Sequence, residues 1–155
     1  GALVTGAAGF APCTAEACME LLRAHGIDPA GRRVTIVGRS LVIGRPAALL
    51  LTRADATVTL CHRKTPDLAA RCRDADILLA AAGAPGLITT DFVRPGQIVL
   101  DAGATALPDG TLRGDVAPDA AAIAVCTPVP GGIGSVTTAL LLRHTVQAAE
   151  NLRHF

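Results

Sequence analysis

Apolar positions along this chain alternate between two periods. Cys18, Leu21 and Leu22 recur at helical spacing, with Thr14 as the expected N-cap and Gly26 ending the helix just beyond His25. Arg33-Val34-Thr35-Ile36-Val37 is a β-branched run that closes on Gly38, and a helical stretch from Gly44 to Arg53 follows a five-residue loop. The alternation then repeats. Ala56 to Cys61 predicts a strand, Pro66 to Arg73 a helix and Asp76 to Ala81 a strand, with one helical turn at Thr89 to Val93. Gln97 to Asp101 predicts another strand, Asp115 to Ala121 a weak helix, Ile123 to Cys126 a last short strand and Ser135 to Leu152 a closing helix. Five strands with helices between them predict an α/β fold: a Rossmann-type doubly wound parallel sheet flanked by helices.

Length and composition narrow the class. With 155 residues the chain is expected to form one domain over residues 1–155. Half the residues are apolar, and with three Phe, no Tyr and no Trp the apolar share is mainly Ala, Val, Leu and Ile, which suits a buried parallel sheet. Fourteen basic against thirteen acidic residues leave no global field, so neither nucleic acid nor a membrane surface is expected as a partner. No apolar run approaches the roughly 20 residues of a membrane span. The cysteines Cys13, Cys18, Cys61, Cys72 and Cys126 show no C-x-x-C pair, no zinc spacing and no secretory leader ahead of them, which points to a reducing cytoplasm and to no metal. They read as core residues. His25, His144 and His154 read as solvated. The chain opens on Gly1 instead of Met, so a trimmed chain or a piece of a longer one is among the expectations.

Three segments carry candidate chemistry. Gly38-Arg39-Ser40-Leu41-Val42-Ile43-Gly44 follows the first sheet strand. Its landmarks match the dinucleotide fingerprint, except that Ser40 replaces the middle glycine and the last interval is one residue longer. Such a loop lets backbone N–H groups and a helix N-terminus approach a pyrophosphate. Cys61-His62-Arg63-Lys64-Thr65 follows the second strand, where an NAD-binding domain usually offers an acid to the ribose 2′-hydroxyl. Bases stand there instead. Arg63 and Lys64, with Arg39, would surround a 2′-phosphate and favour NADP over NAD, although a solvated basic turn reads the same way. Thr127-Pro128-Val129-Pro130-Gly131-Gly132-Ile133-Gly134 is either a helix-entry turn or a seat for a ligand. Asp101, before Ala102-Gly103, reads as a turn cap.

Taken in order, Pro12-Cys13-Thr14, Val37-Gly38-Arg39-Ser40, Val42-Ile43-Gly44-Arg45-Pro46, the run from Ala56 to His62, Ala75-Asp76-Ile77-Leu78, Gly114-Asp115-Val116 and Thr127-Pro128-Val129-Pro130-Gly131-Gly132 resemble one family. It is the cofactor-binding half of the bifunctional methylenetetrahydrofolate dehydrogenase/cyclohydrolases, and the resemblance runs from about Gly9 to Ala149. It implies hydride transfer from 5,10-methylenetetrahydrofolate to NADP, then hydrolysis of the methenyl product. By position it implies that Gly38, Arg39 and Ser40 hold phosphates and ribose, and Gly44 counts with them among the cofactor-binding residues. Arg63 stands where the family commonly has a serine near the 2′-phosphate, and Lys64 stands beside it. Ala104 replaces an isoleucine that contacts the cofactor, and Gly131, Gly132 and Thr137 would lie beside the nicotinamide and folate. A homodimer is implied too.

Departures follow a pattern. The family's catalytic Tyr and Lys belong to an amino-terminal domain that also holds the pterin. This chain has no Tyr, and Lys64 is its one lysine. No catalytic residue is therefore assigned within it, and a tetrahydrofolate derivative would need the other domain to bind. Ala15-Glu16-Ala17, Ala104-Thr105 and Ser135-Val136 also replace family residues. A divergent dinucleotide-binding module without folate catalysis, acting with a partner or as a sensor, remains the alternative.

Overall fold

The computed structural model describes residues 9–152. Helix α1 spans Cys13–Ala24 and is followed by strand β1, Arg33–Val37. Next come α2 (Gly44–Arg53), β2 (Thr57–Cys61), α3 (Leu68–Asp74) and β3 (Ile77–Ala80). A single 3-10 turn at Thr90–Phe92 precedes β4 (Ile98–Asp101); a small antiparallel hairpin, β5 (Thr105–Ala106) with β6 (Leu112–Arg113), follows. Helix α4 (Pro118–Ile123), strand β7 (Val125–Cys126) and helix α5 (Ile133–Leu152) complete the order.

Five strands pair in the order β2-β1-β3-β4-β7, every pair parallel, as the alternating pattern predicts. Side chains along the central strands divide between two cores because successive residues point to opposite faces. Val34, Ile36, Ile77, Leu79 and Leu100 pack with Ala47 and Leu51 of α2, Cys18 and Leu22 of α1, and Ile133 and Leu140 of α5. Leu78, Ala80 and Val99 face the other way, toward Cys72 of α3, Ala120 of α4, and Ile88 and Val93. Helices therefore cover both faces of the sheet. The chain leaves β1 in one direction and, after β2, recrosses to β3 on the other side, so the carboxyl ends of β1 and β3 flank a switch point, where open α/β sheets bind ligands.

Local chemistry moves some boundaries. Pro12 caps α1, and Glu16 donates its N–H to the Pro12 carbonyl, so Thr14 lies in the first turn and is not the N-cap. Gly26 ends the helix as expected: at φ +65° it lets its own N–H reach the Arg23 carbonyl and that of Ile27 reach Leu22. The helix expected from Asp115 begins instead at Pro118, whose fixed φ suits the first helical position. Helix α5 begins at Ile133, two residues ahead of the expected Ser135, and runs to the last described residue.

Candidate functional site

Every candidate segment lies along the carboxyl edge of the sheet. Gly38 stays tied to that edge through its N–H to the Cys61 carbonyl at 2.9 Å, while Ala81 donates to Val37 at 2.8 Å. A side chain at Gly38, which sits at φ +124°, would place its Cβ 2.0 Å from the Ala81 carbonyl oxygen. One at Gly44 would lie 2.0 Å from the Gly38 carbonyl oxygen. Both glycines thus permit backbone to stack on backbone, which draws the 39–43 loop tight and starts α2 beneath it. Ser40 completes the turn: its Oγ accepts the N–H of Ile43 at 3.0 Å and faces that of Gly44 at 3.5 Å. The hydroxyl proton of Ser40 is left to donate.

After β2, residues 62–65 form a second tight turn. His62 donates its N–H to Thr65 Oγ1 at 2.9 Å, Thr65 returns its N–H to the His62 carbonyl at 2.8 Å, and Lys64 donates its N–H to His62 Nδ1 at 3.2 Å. The turn presents Arg63 and Lys64 outward. With Gly38, Arg39 and His62 they line a cavity of about 380 Å³ that no carboxylate lines. Arg39, Arg63 and Lys64 are exposed, and among the described residues none is ion-paired. Three cations converging without a carboxylate fit a phosphate and do not fit a bare ribose diol, which calls for an acceptor.

Farther along the edge, Ala104, Gly131, Gly132 and Thr137 line a second cavity of about 410 Å³, together with Ile43 of the first loop and Thr14 of α1. Its lining is largely small and neutral. The Val129–Pro130 peptide is cis, and Thr137 Oγ1 donates to the Ile133 carbonyl at 2.8 Å. Eight of the ten sequence-predicted residues thus fall into two neighbouring groups, a basic end beside β2 and a neutral end between β4 and α5, while Ser40 and Gly44 line neither cavity and shape the loop between β1 and α2.

Two residues beneath this edge go beyond their sequence reading. Asp101, 4% exposed, accepts N–H groups from Gly103 (2.9 Å), Asp115 (3.0 Å) and Val116 (3.0 Å). Asp115, 0% exposed, accepts those of Ala82 (2.6 Å), Gly83 (3.0 Å) and Ala84 (2.8 Å). Burial pushes the Asp115 carboxyl above the usual range, and the three N–H groups oppose that shift. Asp101 is therefore more than a turn cap, and Asp115 is not the start of a helix; together they lace the loops after β3 and β4 to residues 114–116. The Gly-Asp-Val string was the available signal.

Other expectations divide. Cys18, Cys61 and Cys72 are buried core thiols, with Cys18 and Cys72 pushed up to about 12 by desolvation. Cys13 and Cys126 are half-buried. His25 is exposed and His154 lies outside the described residues, but His144 is buried at 8% exposure and is not solvated. It continues the inward stripe of α5 from Ile133 and Leu140, a spacing visible in the sequence. Among the described residues no group of three or more His, Cys, Asp and Glu is arranged to hold a metal, and no helix is long and apolar enough to cross a membrane.

Comparison with known proteins gives a consistent answer. Residues 12–153 match the model of the tetrahydrofolate dehydrogenase/cyclohydrolase NAD(P)-binding domain. Bifunctional protein FolD 1 of Rhodococcus jostii is 58% identical over 153 residues, covering 96% of this chain and 51% of that protein. FolD of Chloroflexus aurantiacus is 52% identical over 152 residues, covering 96% of this chain and 53% of that protein. Among solved structures, the Campylobacter jejuni FolD methylenetetrahydrofolate dehydrogenase/cyclohydrolase superposes with a TM-score of 0.91 at 43% identity, covering 97% of this chain and 54% of that one. The Trypanosoma brucei enzyme, complexed with NADP cofactor and an inhibitor, gives 0.81 at 44% identity, covering 88% of this chain and 50% of that one. The chain spans about half the length of the relatives it matches.

Proposed function

The chain belongs to the tetrahydrofolate dehydrogenase/cyclohydrolase family as its NAD(P)-binding domain, and from that premise we propose that it is the NADP-holding half of a methylenetetrahydrofolate dehydrogenase and methenyltetrahydrofolate cyclohydrolase. The observation that carries the choice of NADP is the basic cavity: Arg39, Arg63 and Lys64 face one space, unpaired among the described residues, at the end of the second strand where an NAD site would place an acid. In this reading Arg63 and Lys64, with Arg39, hold the 2′-phosphate. Gly38, Ser40 and Gly44 bring the 39–43 loop against the pyrophosphate, with the Ser40 proton as a donor.

Bound there, NADP would supply the hydride acceptor. The neutral cavity is where the nicotinamide would lie, with Ala104, Gly131, Gly132 and Thr137 setting its depth and excluding water. Each of those side chains is small or absent, which leaves room for a planar ring and for the substrate that must approach it. No group in this cavity is assigned a proton-transfer role. The catalytic Tyr and Lys of the family are assigned to the other half of the longer relatives, because this sequence has no Tyr and its one lysine stands in the basic cavity. The same proposal includes one domain over residues 1–155, a tetrahydrofolate derivative as the substrate of the assembled protein, and a homodimer. Five free thiols support a cytoplasmic location.

Calorimetric titration with NADP and NAD at matched salt tests it. NADP is expected to bind more tightly, and Arg63→Ala is expected to weaken NADP by about 1.5–3 kcal/mol, the worth of a charge-assisted hydrogen bond, while leaving NAD nearly unchanged. Equal weakening of the two would overturn the placement of the 2′-phosphate.

A further inference from the structure

Where α1 packs along α5, three side chains form a relay that the dinucleotide site does not use. Cys13 opens α1 with its Sγ 3.5 Å from His144 Nδ1. On its other side, His144 Nε2 lies 3.0 Å from Glu16 Oε2. Fully buried Ala15 and Ala17 give α1 small residues inside its first turns, and Cys13 and Glu16, three residues apart, share a face of that helix. The charged groups around the relay are Arg143, which holds Glu16 and reaches Glu20 at 3.5 Å, and Arg23, which pairs with Glu20. Phe10, half exposed, lays its ring over the imidazole with centroids 4.6 Å apart.

The order of atoms decides what the relay does. With its Nε2–H donated to the Glu16 carboxylate, His144 turns the Nδ1 lone pair toward the thiol, and the carboxylate stabilises the imidazolium that forms when the sulfur loses its proton. A nucleophile, a base and a group that orients the base are the components of an activated thiol. The other cysteines lack them. Cys18, Cys61 and Cys72 are buried, and Cys126, half-buried like Cys13, donates its thiol to the Thr127 carbonyl at 3.4 Å and is pushed up to about 11 by desolvation.

We propose that Cys13 is a site of reversible modification by low-molecular-mass disulfides, with His144 as its base and Glu16 as the residue that positions the imidazole. The thiolate of Cys13 attacks one sulfur of the disulfide, so that a new S–S bond forms as the old one breaks. The departing thiolate takes the proton held by His144. Oxidation and reduction balance within the exchange, and no further reagent enters. The neighbouring Thr14 lines the neutral cavity, so a mixed disulfide on Cys13 stands next to the proposed nicotinamide end.

The test is the reaction of the full chain with the uncharged disulfide dithiodipyridine, followed by release of the chromophoric thiol and by mass-spectrometric mapping of the labelled cysteine. Cys13 is expected to react at least about tenfold faster than Cys126 at pH 7, because His144 stands ready to accept its proton while burial holds the Cys126 thiol up. Cys13→Ser should remove the fast phase. His144→Asn should slow it about tenfold at pH 7 and restore the rate near pH 10, where a thiol ionises unaided. That recovery would not follow from a merely loosened helix pair. Similar rates at Cys13 and Cys126 in the unaltered chain would overturn the proposal, as would an unchanged fast phase in His144→Asn; the first comparison needs no variant to fold.

Discussion

The two edges of the sheet carry the same kinds of charged residue and use them in opposite ways. At the amino edge Arg33, Arg73 and Arg94 have internal partners among the described residues. Arg33 reaches Asp74 at 2.8 Å and Asp76 at 3.2 Å; Arg94 lies 3.6 Å from Asp76 and donates to the carbonyls of Arg73 and Ala75 at 3.0 Å; Arg73 donates to the Asp91 carbonyl. At the carboxyl edge Arg39, Arg63 and Lys64 have no such partner among the described residues, and Asp101 and Asp115 beneath them are buried and committed to backbone N–H groups. Charge at one edge ties the protein to itself. At the other edge the acids hold up the floor and the bases are left for an external anion, which is what distinguishes a ligand site from a surface with the same composition.

That division of labour predicts a large asymmetry in stability. Asp115→Ala removes a fully buried side chain that accepts three part-buried N–H groups and leaves a void, so urea unfolding should show a loss of about 3–5 kcal/mol. The paired change Arg39→Ala with Lys64→Ala should move the same midpoint by less than about 0.5 kcal/mol, because exposed side chains without partners contribute little to folding. Comparable losses in the two experiments would mean that the bases belong to the scaffold and that the comparison fails.

The sequence discloses these features unevenly. Strands β1 and β4, helix α2 and the end of α1 are legible because β-branched runs and glycine stops act within a few residues of themselves. Gly38 and Gly44 are visible as a loop, but the reason for Gly38 is not, since it lies in the Ala81 carbonyl just past β3, far along the chain; Gly44 in turn is required by the Gly38 carbonyl. The hairpin of β5 and β6 escapes because two-residue strands carry no period. Asp115 is misread for a related reason: an acid three residues before a short helix looks like a helix-start signal, and only the folded chain brings residues 82–84 to its oxygens. His144 is the opposite case. Its spacing from Leu140 marks it as inward-facing, and the polar side chain conceals the pattern. Arg39, Arg63 and Lys64 are found early because the parallel order of β1 and β2 brings their two loops together.

Smaller effects sharpen the same contrast. Ser40→Ala removes the acceptor for the Ile43 N–H at the entry to α2, and should cost about 1 kcal/mol in urea unfolding, the usual worth of a capping side chain. The loop would fray without the sheet being disturbed. A loss as large as that of Asp115→Ala would show that the 39–43 loop is part of the scaffold and not only a seat above it.

The smallest effect belongs to the amino edge. The hydrogen bond from the Arg33 side chain, helped by the Arg33 backbone N–H, holds the Asp76 carboxyl below its usual range. A depressed carboxylate contributes stability that is present above its unfolded value of about 3.9 and is lost as pH falls through its lower folded value. Asp76 is a third exposed and Arg33 more than half, so solvent and salt screen the pair. Asp76→Asn should therefore lower stability by less than about 1 kcal/mol at pH 7, and by less again in high salt. Urea midpoints of the two proteins, measured at successively lower pH, should converge as Asp76 is protonated. A difference that persisted in acid would assign the stabilisation to the shape of the side chain and its hold on the Arg33 N–H, and the amino edge would then owe its order to hydrogen bonds more than to neutralised charge.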